Sequence, residues 1–221
     1  MARDADATRE RILAAATLEF AAHGLAGGRV ERIASEARSN VRMIYAYYGG
    51  KSGLFDATLA EALRRMAENV PPRPEDLARW AGDVFDHHQR FPEVLRLSMW
   101  AQLERPEATA EPRDIYRNKT LAVATAAARP LSAVDVLVFI YAIAQAWQLS
   151  PEGLTGLEEN PVRGEEVAAR RQSVVTAVER MLHARDGVGE VAEPGADPAD
   201  RAADPPSGRT SATSHASLRS G

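Results

Sequence analysis

The residues best suited to chemistry in this chain lie between Arg29 and Lys51, in RVERIASEARSNVRMIYAYYGGK. Arg42, Met43, Ala46 and Tyr47 share one side of a short helical pattern, and no carboxylate stands among them. A guanidinium can make a bidentate contact to a guanine edge, and a thioether or methyl can meet a thymine methyl. A phenol and an ammonium suit phosphate oxygens. A surface helix that happens to carry one arginine would look similar from these four residues alone.

Those side chains need a support, and the spacing supplies two short helices. Val30, Ile33, Ala34 and Ala37 recur at i, i+3, i+4 and i+7, and Val41, Ile44, Tyr45 and Tyr48 repeat the pattern. Each set makes an apolar stripe on a helix of 3.6 residues per turn. Helices this short are unstable alone and must pack on neighbours. Joined through Arg38, Ser39 and Asn40, they read as a helix-turn-helix.

Upstream, Thr8 is a candidate N-cap after a frayed arm. Ile12, Leu13, Ala16 and Phe20 form a first helix that ends at His23-Gly24. Downstream, Ser52 opens a helix bearing Leu54, Phe55, Thr58, Leu59, Ala62, Leu63 and Met66, stopped by Pro71 and Pro72. Helical patterns follow around Trp80 and Phe85, from Val94 to Leu103, from Ile115 to Ala128, from Val134 to Leu149, and from Val167 to Leu182. Residues 134–149 are apolar almost all round, which predicts burial by several partners. Residues 150–164 read as a Gly/Pro loop, and 186–221 as a disordered tail rich in Gly, Pro, Ala, Asp and Ser.

From Thr8 to Phe55 the chain resembles the N-terminal domain of TetR-family transcriptional repressors. The segments that carry the likeness are TRERILAAATLEFAAHGL, RVERIASEA and IYAYYGGKSGLF. The resemblance implies an all-α fold, with an N-terminal three-helix DNA-binding domain over 6–66 and a helical ligand-binding and dimerisation domain over 67–185. It implies a ligand-responsive, homodimeric repressor of a double-stranded DNA operator, with neither catalytic residues nor a cofactor. Arg29, Arg38, Asn40, Val41, Arg42, Met43, Tyr45, Tyr47 and Lys51 are its expected DNA-binding set. Trp80, Phe85, His88, Trp100, Tyr116, Phe139 and Trp147 are the expected ligand contacts, with His87, Gln102 and Gln145 as further anchors; the same aromatics, with Tyr141, also suit an ordinary core. The expected dimer elements are 134–149 and 165–183. Three positions depart from the family pattern: Gly28 replaces a hydroxyl-bearing N-cap, Arg38 replaces a turn glycine, and Ala46 replaces an aromatic or histidine.

Composition narrows the alternatives. The 221 residues are 45% apolar, enough for a packed core, and contain no cysteine, which removes disulfides and thiolate metal sites and suits a cytoplasmic protein. No window has the roughly 18 apolar residues of a membrane span. The net charge is −4, yet between Arg29 and Lys51 five cations face two carboxylates. Distribution, not the sum, governs attraction to phosphates. A helical enzyme would need a nucleophile–base pair, a carboxylate cluster or a metal set, and no such motif appears. His87 and His88 point about 100° apart on a helix, which is wrong for one chelate face. An interaction adaptor is the third class.

Overall fold

The computed structural model describes residues 2–105, 113–125, 131–157 and 165–183. Ten helices occur among them: α1 (Ala2–Gly27), α2 (Val30–Glu36), α3 (Val41–Tyr48), α4 (Lys51–Asn69), α5 (Leu77–Arg90), α6 (Pro92–Glu104), α7 (Arg113–Val123), α8 (Ala133–Leu149), α9 (Glu152–Thr155) and α10 (Glu165–His183). The all-α expectation holds. The tail expected over 186–221 lies outside the described residues, as does the end of the helix expected to reach Ala128.

α1 starts seven residues earlier than the Thr8 cap implied. Thr8 is inside the helix, its hydroxyl donating to the Asp4 carbonyl at 2.8 Å. This back-bond one turn earlier competes with the capping geometry. The end at His23-Gly24 survives as a sharp kink, with Gly24 at φ 67° and ψ −176°. A Cβ there would lie 2.8 Å from the Trp100 ring and from the Glu104 carboxylate, so the close approach of α6 excludes any side chain.

α2 buries Val30, Ile33, Ala34 and Ala37, the whole expected stripe. Its N-cap is Arg29, not Gly28, and no side chain on that residue caps it. The missing acceptor comes from α1: the Glu19 carboxylate takes the Arg29 N–H at 2.8 Å and the Arg32 guanidinium at 2.5 Å. α3 begins at Asn40, whose Oδ1 accepts the Met43 N–H at 2.9 Å. Such a cap contributes about 1 kcal/mol.

The head packs α1 against α2 and α4, and α3 against α2 and α4. Phe20 and Phe55 meet edge-to-face, 5.2 Å between centroids, among buried Ile12, Ile33, Ile44 and Leu54. Beyond the Pro71–Pro74 break, α5 packs on α6, α8 and α10. Trp80, Val84, Phe85, Ile140 and Val178 are fully buried there. The apolar core runs unbroken from Ile12 to Val178, with α4 connecting its two ends.

α8 corrects the expectation of all-round burial. Val136, Leu137, Ile140 and Ala144 are buried, but Val134, Val138, Phe139 and Leu149 are exposed, Val138 at 55%. Val134, Val138 and Leu149 border a cavity, and Phe139 lies off it.

Candidate functional site

α3 is anchored by Ile44, its one fully buried side chain, with Val41 and Tyr48 half-buried beside it. Arg42 and Ala46 are exposed; Met43 and Tyr47 are half-buried too, and Tyr47 packs against the core. Tyr45 leaves the expected inward stripe and stands 53% exposed. A helix of eight residues presents a narrow contact, and Ile44 already fills the seat against the core. The outward face therefore carries Arg42, Tyr45 and Ala46, with Met43 and Tyr47 at its margins.

The other expected DNA contacts divide by their partners. Arg29 and Arg38 are exposed and, like Arg42, make no ion pair among the described residues. Arg32, counted in the local charge, is held by Glu19, whose pKa lies below the usual carboxylate range because of that guanidinium. Lys51 donates to the Ala26 carbonyl at 3.0 Å, tying α4 to the end of α1. Asn40 uses Oδ1 as a cap. Tyr47 stacks under Arg9, with the guanidinium 4.8 Å from the ring centre.

Arg38 is the only non-glycine residue at positive φ (49°) among the described residues. Its strain sits in the turn between α2 and α3, and its side chain is exposed beside the α3 face. A left-handed backbone costs a non-glycine residue about 1 kcal/mol. Arg38→Gly is therefore expected to raise the melting temperature by roughly 2–4 °C. The same change should weaken DNA binding and lower the salt slope by about one counterion. Thermal melts and anisotropy titrations across a salt series check both parts.

A second feature is a cavity of about 560 Å³ between α4, α6, α7 and α8, reached by His88 of α5. That volume suits a drug-sized ligand. Of the seven expected ligand contacts, only His88 and Tyr116 line it. Trp80 and Phe85 are fully buried in the core behind it. Trp100 faces the opposite way, donating to the Ala21 carbonyl at 3.3 Å. Phe139 is on the exposed side of α8, and Trp147 lies under the Arg170 guanidinium, 4.4 Å from the ring centre. A wide aromatic marks burial, and burial against a neighbouring helix is commoner than burial against a void. Of the further anchors, Gln102 and Gln145 line the wall, while His87 turns to Phe91, 5.0 Å between centroids. Gln145 meets His88 Nε2 at 3.1 Å.

The side chain missed is Lys119. It is 5% exposed on the cavity wall, and burial lowers its pKa to about 8. Its ammonium donates to the Tyr141 hydroxyl at 2.5 Å. The signal was present: Lys119 falls with Ile115 and Val123 on the apolar face of α7, and the chain's only other lysine is Lys51.

Residues 12–58 match the family model described as bacterial regulatory proteins, tetR family; residues 76–180 match the one described as tetracyclin repressor-like, C-terminal domain. The HTH-type transcriptional repressor SCO4008 of Streptomyces coelicolor is 41% identical over 152 residues, covering 65% of this chain and 79% of that protein. The chain belongs to the TetR family. It is a helix-turn-helix DNA-binding transcriptional regulator, and a TetR-family regulator is a transcription factor and not an enzyme. The HTH-type transcriptional repressor NicS of Pseudomonas putida is 36% identical over 105 residues, 43% of this chain and 49% of that protein. The crystal structure of SCO4942 from Streptomyces coelicolor matches with a TM-score of 0.69 at 35% identity, covering 79% of this chain and 97% of that one. No helix among the described residues is long and apolar enough to cross a membrane.

Proposed function

We propose that this TetR-family chain is a homodimeric repressor released from its operator by a small molecule. The observation that carries the reading is α3: a helix seated by Ile44 with unpaired Arg42 and exposed Tyr45 on its outer face. In this reading residues 6–66 bind DNA and 67–185 bind the effector and the second copy. Val41, Arg42, Met43 and Tyr45 lie at or near base edges in the major groove. Arg29, Arg38, Tyr47 and Lys51 hold phosphates, and Asn40 acts mainly by capping the reading helix. Two copies would place their α3 helices in successive major grooves.

The exposed faces of α8 and α10 support the dimer. Phe139 and Ala146 are uncovered on α8, away from the cavity, and Val167, Ala169 and Ala177 on α10. Apolar side chains left uncovered on two neighbouring helices favour burial against a second copy.

The contacts of α6 support the coupling. Ser98, Met99 and Gln102 stand on the cavity wall, and α6 also grips the end of α1. Trp100 bonds Ala21, while the Glu104 carboxylate accepts the Leu25 and Ala26 N–H groups at 2.5 and 3.2 Å. Ala26 in turn accepts Lys51 at the start of α4. A ligand that shifts α6 would reposition α1 and α4, and through α4 the helix α3 packed on it. It acts only so far as it prefers one of the two arrangements.

The test is selection of bound duplexes from a random pool, with size measurement of the complex. The expected result is a near-palindromic site bound by two chains. Arg42→Ala should then lose roughly 1–3 kcal/mol of discrimination at one base pair per half-site. Wild-type binding to every site variant by Arg42→Ala would remove that residue from the reading set.

A further inference from the structure

Lys119 is buried with no carboxylate on the wall around it. The described lining of the cavity contains no Asp or Glu, and burial alone displaces the lysine's pKa. Its one hydrogen-bond partner is the Tyr141 hydroxyl, which accepts, and its ammonium also lies 5.2 Å from the Tyr141 ring centre. The Tyr141 hydroxyl accepts from Lys119 and keeps its own proton to donate. Two donors thus stand 2.5 Å apart on an apolar wall of Met66, Leu95, Ile115, Leu137 and Val138, and neither has an anion. A buried ammonium without a counter-ion is costly, and a bound carboxylate removes that cost.

Resting on the effector reading above, we infer that the cavity takes a largely apolar small molecule bearing one carboxylate, held by the Lys119 ammonium and the Tyr141 hydroxyl. A carboxylate has two oxygens and accepts from two donors at once. Gln102 and Gln145 line the same wall and give a ligand's remaining polar atoms a partner. A cationic ligand would meet Lys119 with no carboxylate to offset the repulsion.

Titration calorimetry on the full chain at pH 7, with 2-naphthoate, 2-naphthamide and 2-naphthylmethylammonium, tests this. The acid is expected to bind at least about tenfold more tightly than the amide, and the ammonium not at all. Lys119→Met should make acid and amide equal while keeping the helical circular dichroism, since an apolar side chain replaces a buried charge. Tyr141→Phe, which keeps the ring, should lower acid affinity by about tenfold. Acid affinity should also fall above pH 8, as Lys119 loses its proton in the empty cavity. The other titratable groups facing it are Tyr141 from α8, Tyr116 on α7, and His88 and His87 from α5, His87 having its pKa lowered by burial and by Lys119; α4 and α6 put none on the wall. Burial keeps His88 neutral there, with a pKa of about 4, and holds the Tyr141 phenol protonated.

Amide or ammonium binding as tight as the acid's overturns the inference. So does an acid preference that survives both Lys119→Met and Tyr141→Phe, or no binding by any acid from benzoate to dodecanoate. Acid binding that leaves the operator complex intact upholds the carboxylate site and removes the effector role. Release by neutral compounds alone does the reverse.

Discussion

Gly53→Ala is expected to abolish specific operator binding. Gly53 is the third residue of α4, where the chain has just turned out of α3. A Cβ built there would lie 2.0 Å from the Tyr48 carbonyl oxygen. That neighbour is backbone at the end of the reading helix, so no rotamer change relieves the overlap, and α3 must move relative to α4. Overpacking of this kind costs about 3 kcal/mol. For a chain of this size that is a fall in melting temperature of roughly 6–12 °C. The displaced α3 carries Arg42 and Tyr45 away from the groove, and a hundredfold loss of affinity corresponds to about 2.7 kcal/mol. Ser52→Ala, at the exposed neighbouring position, should leave both quantities unchanged. Melting curves and anisotropy titrations of the two variants decide the matter. A Gly53→Ala protein that melted and bound as wild type would mean that the α3–α4 corner yields to a methyl group without displacing α3.

Trp80→Ala should be the most destabilising change beyond the Pro71–Pro74 break. The indole is fully buried, its Nε1 donates to the Val70 carbonyl at 3.2 Å, and its ring meets Tyr141 edge-to-face at 6.0 Å. Removing it leaves a large cavity and an unpaired carbonyl, for a loss of about 3–5 kcal/mol. Trp80→Phe keeps most of the volume and the edge contact, so its cost should fall to the hydrogen bond, about 1 kcal/mol. The two variants also separate two roles. Since Trp80 stands behind Tyr141 and off the cavity wall, Trp80→Phe should bind any effector as wild type does. Urea unfolding followed by circular dichroism measures the first part and ligand titration the second. A stable Trp80→Phe that lost ligand affinity would return the indole to the pocket.

The DNA-binding head was largely legible in the residues. Val30, Ile33, Ala34 and Ala37 are buried as their spacing required, and Ile44 anchors α3. Periodicity reports which side chains share a face, and a short helix with one apolar stripe has one way to sit. Tyr45 escaped the pattern because phenols are amphipathic and one buried side chain was enough to seat an eight-residue helix. The start of α1 and the cap of α2 were misread because their backbone groups found partners outside the expected cap. Thr8 bonds back one turn, and Glu19 serves α2 from ten residues away.

The cavity was far less legible. Its wall is assembled from α4, α5, α6, α7 and α8, and composition cannot say which aromatic meets a void and which meets another helix. By itself the sequence determined the helices, the stripe that seats α3, and the carboxylate-free outer face of α3, because each depends on neighbours within two turns. Only the tertiary structure decided that α6 joins the cavity to α1, and that Lys119 is enclosed with Tyr141 and no anion among the described residues. Those facts depend on contacts between residues 22 to 79 positions apart, and local periodicity holds no information about such pairs.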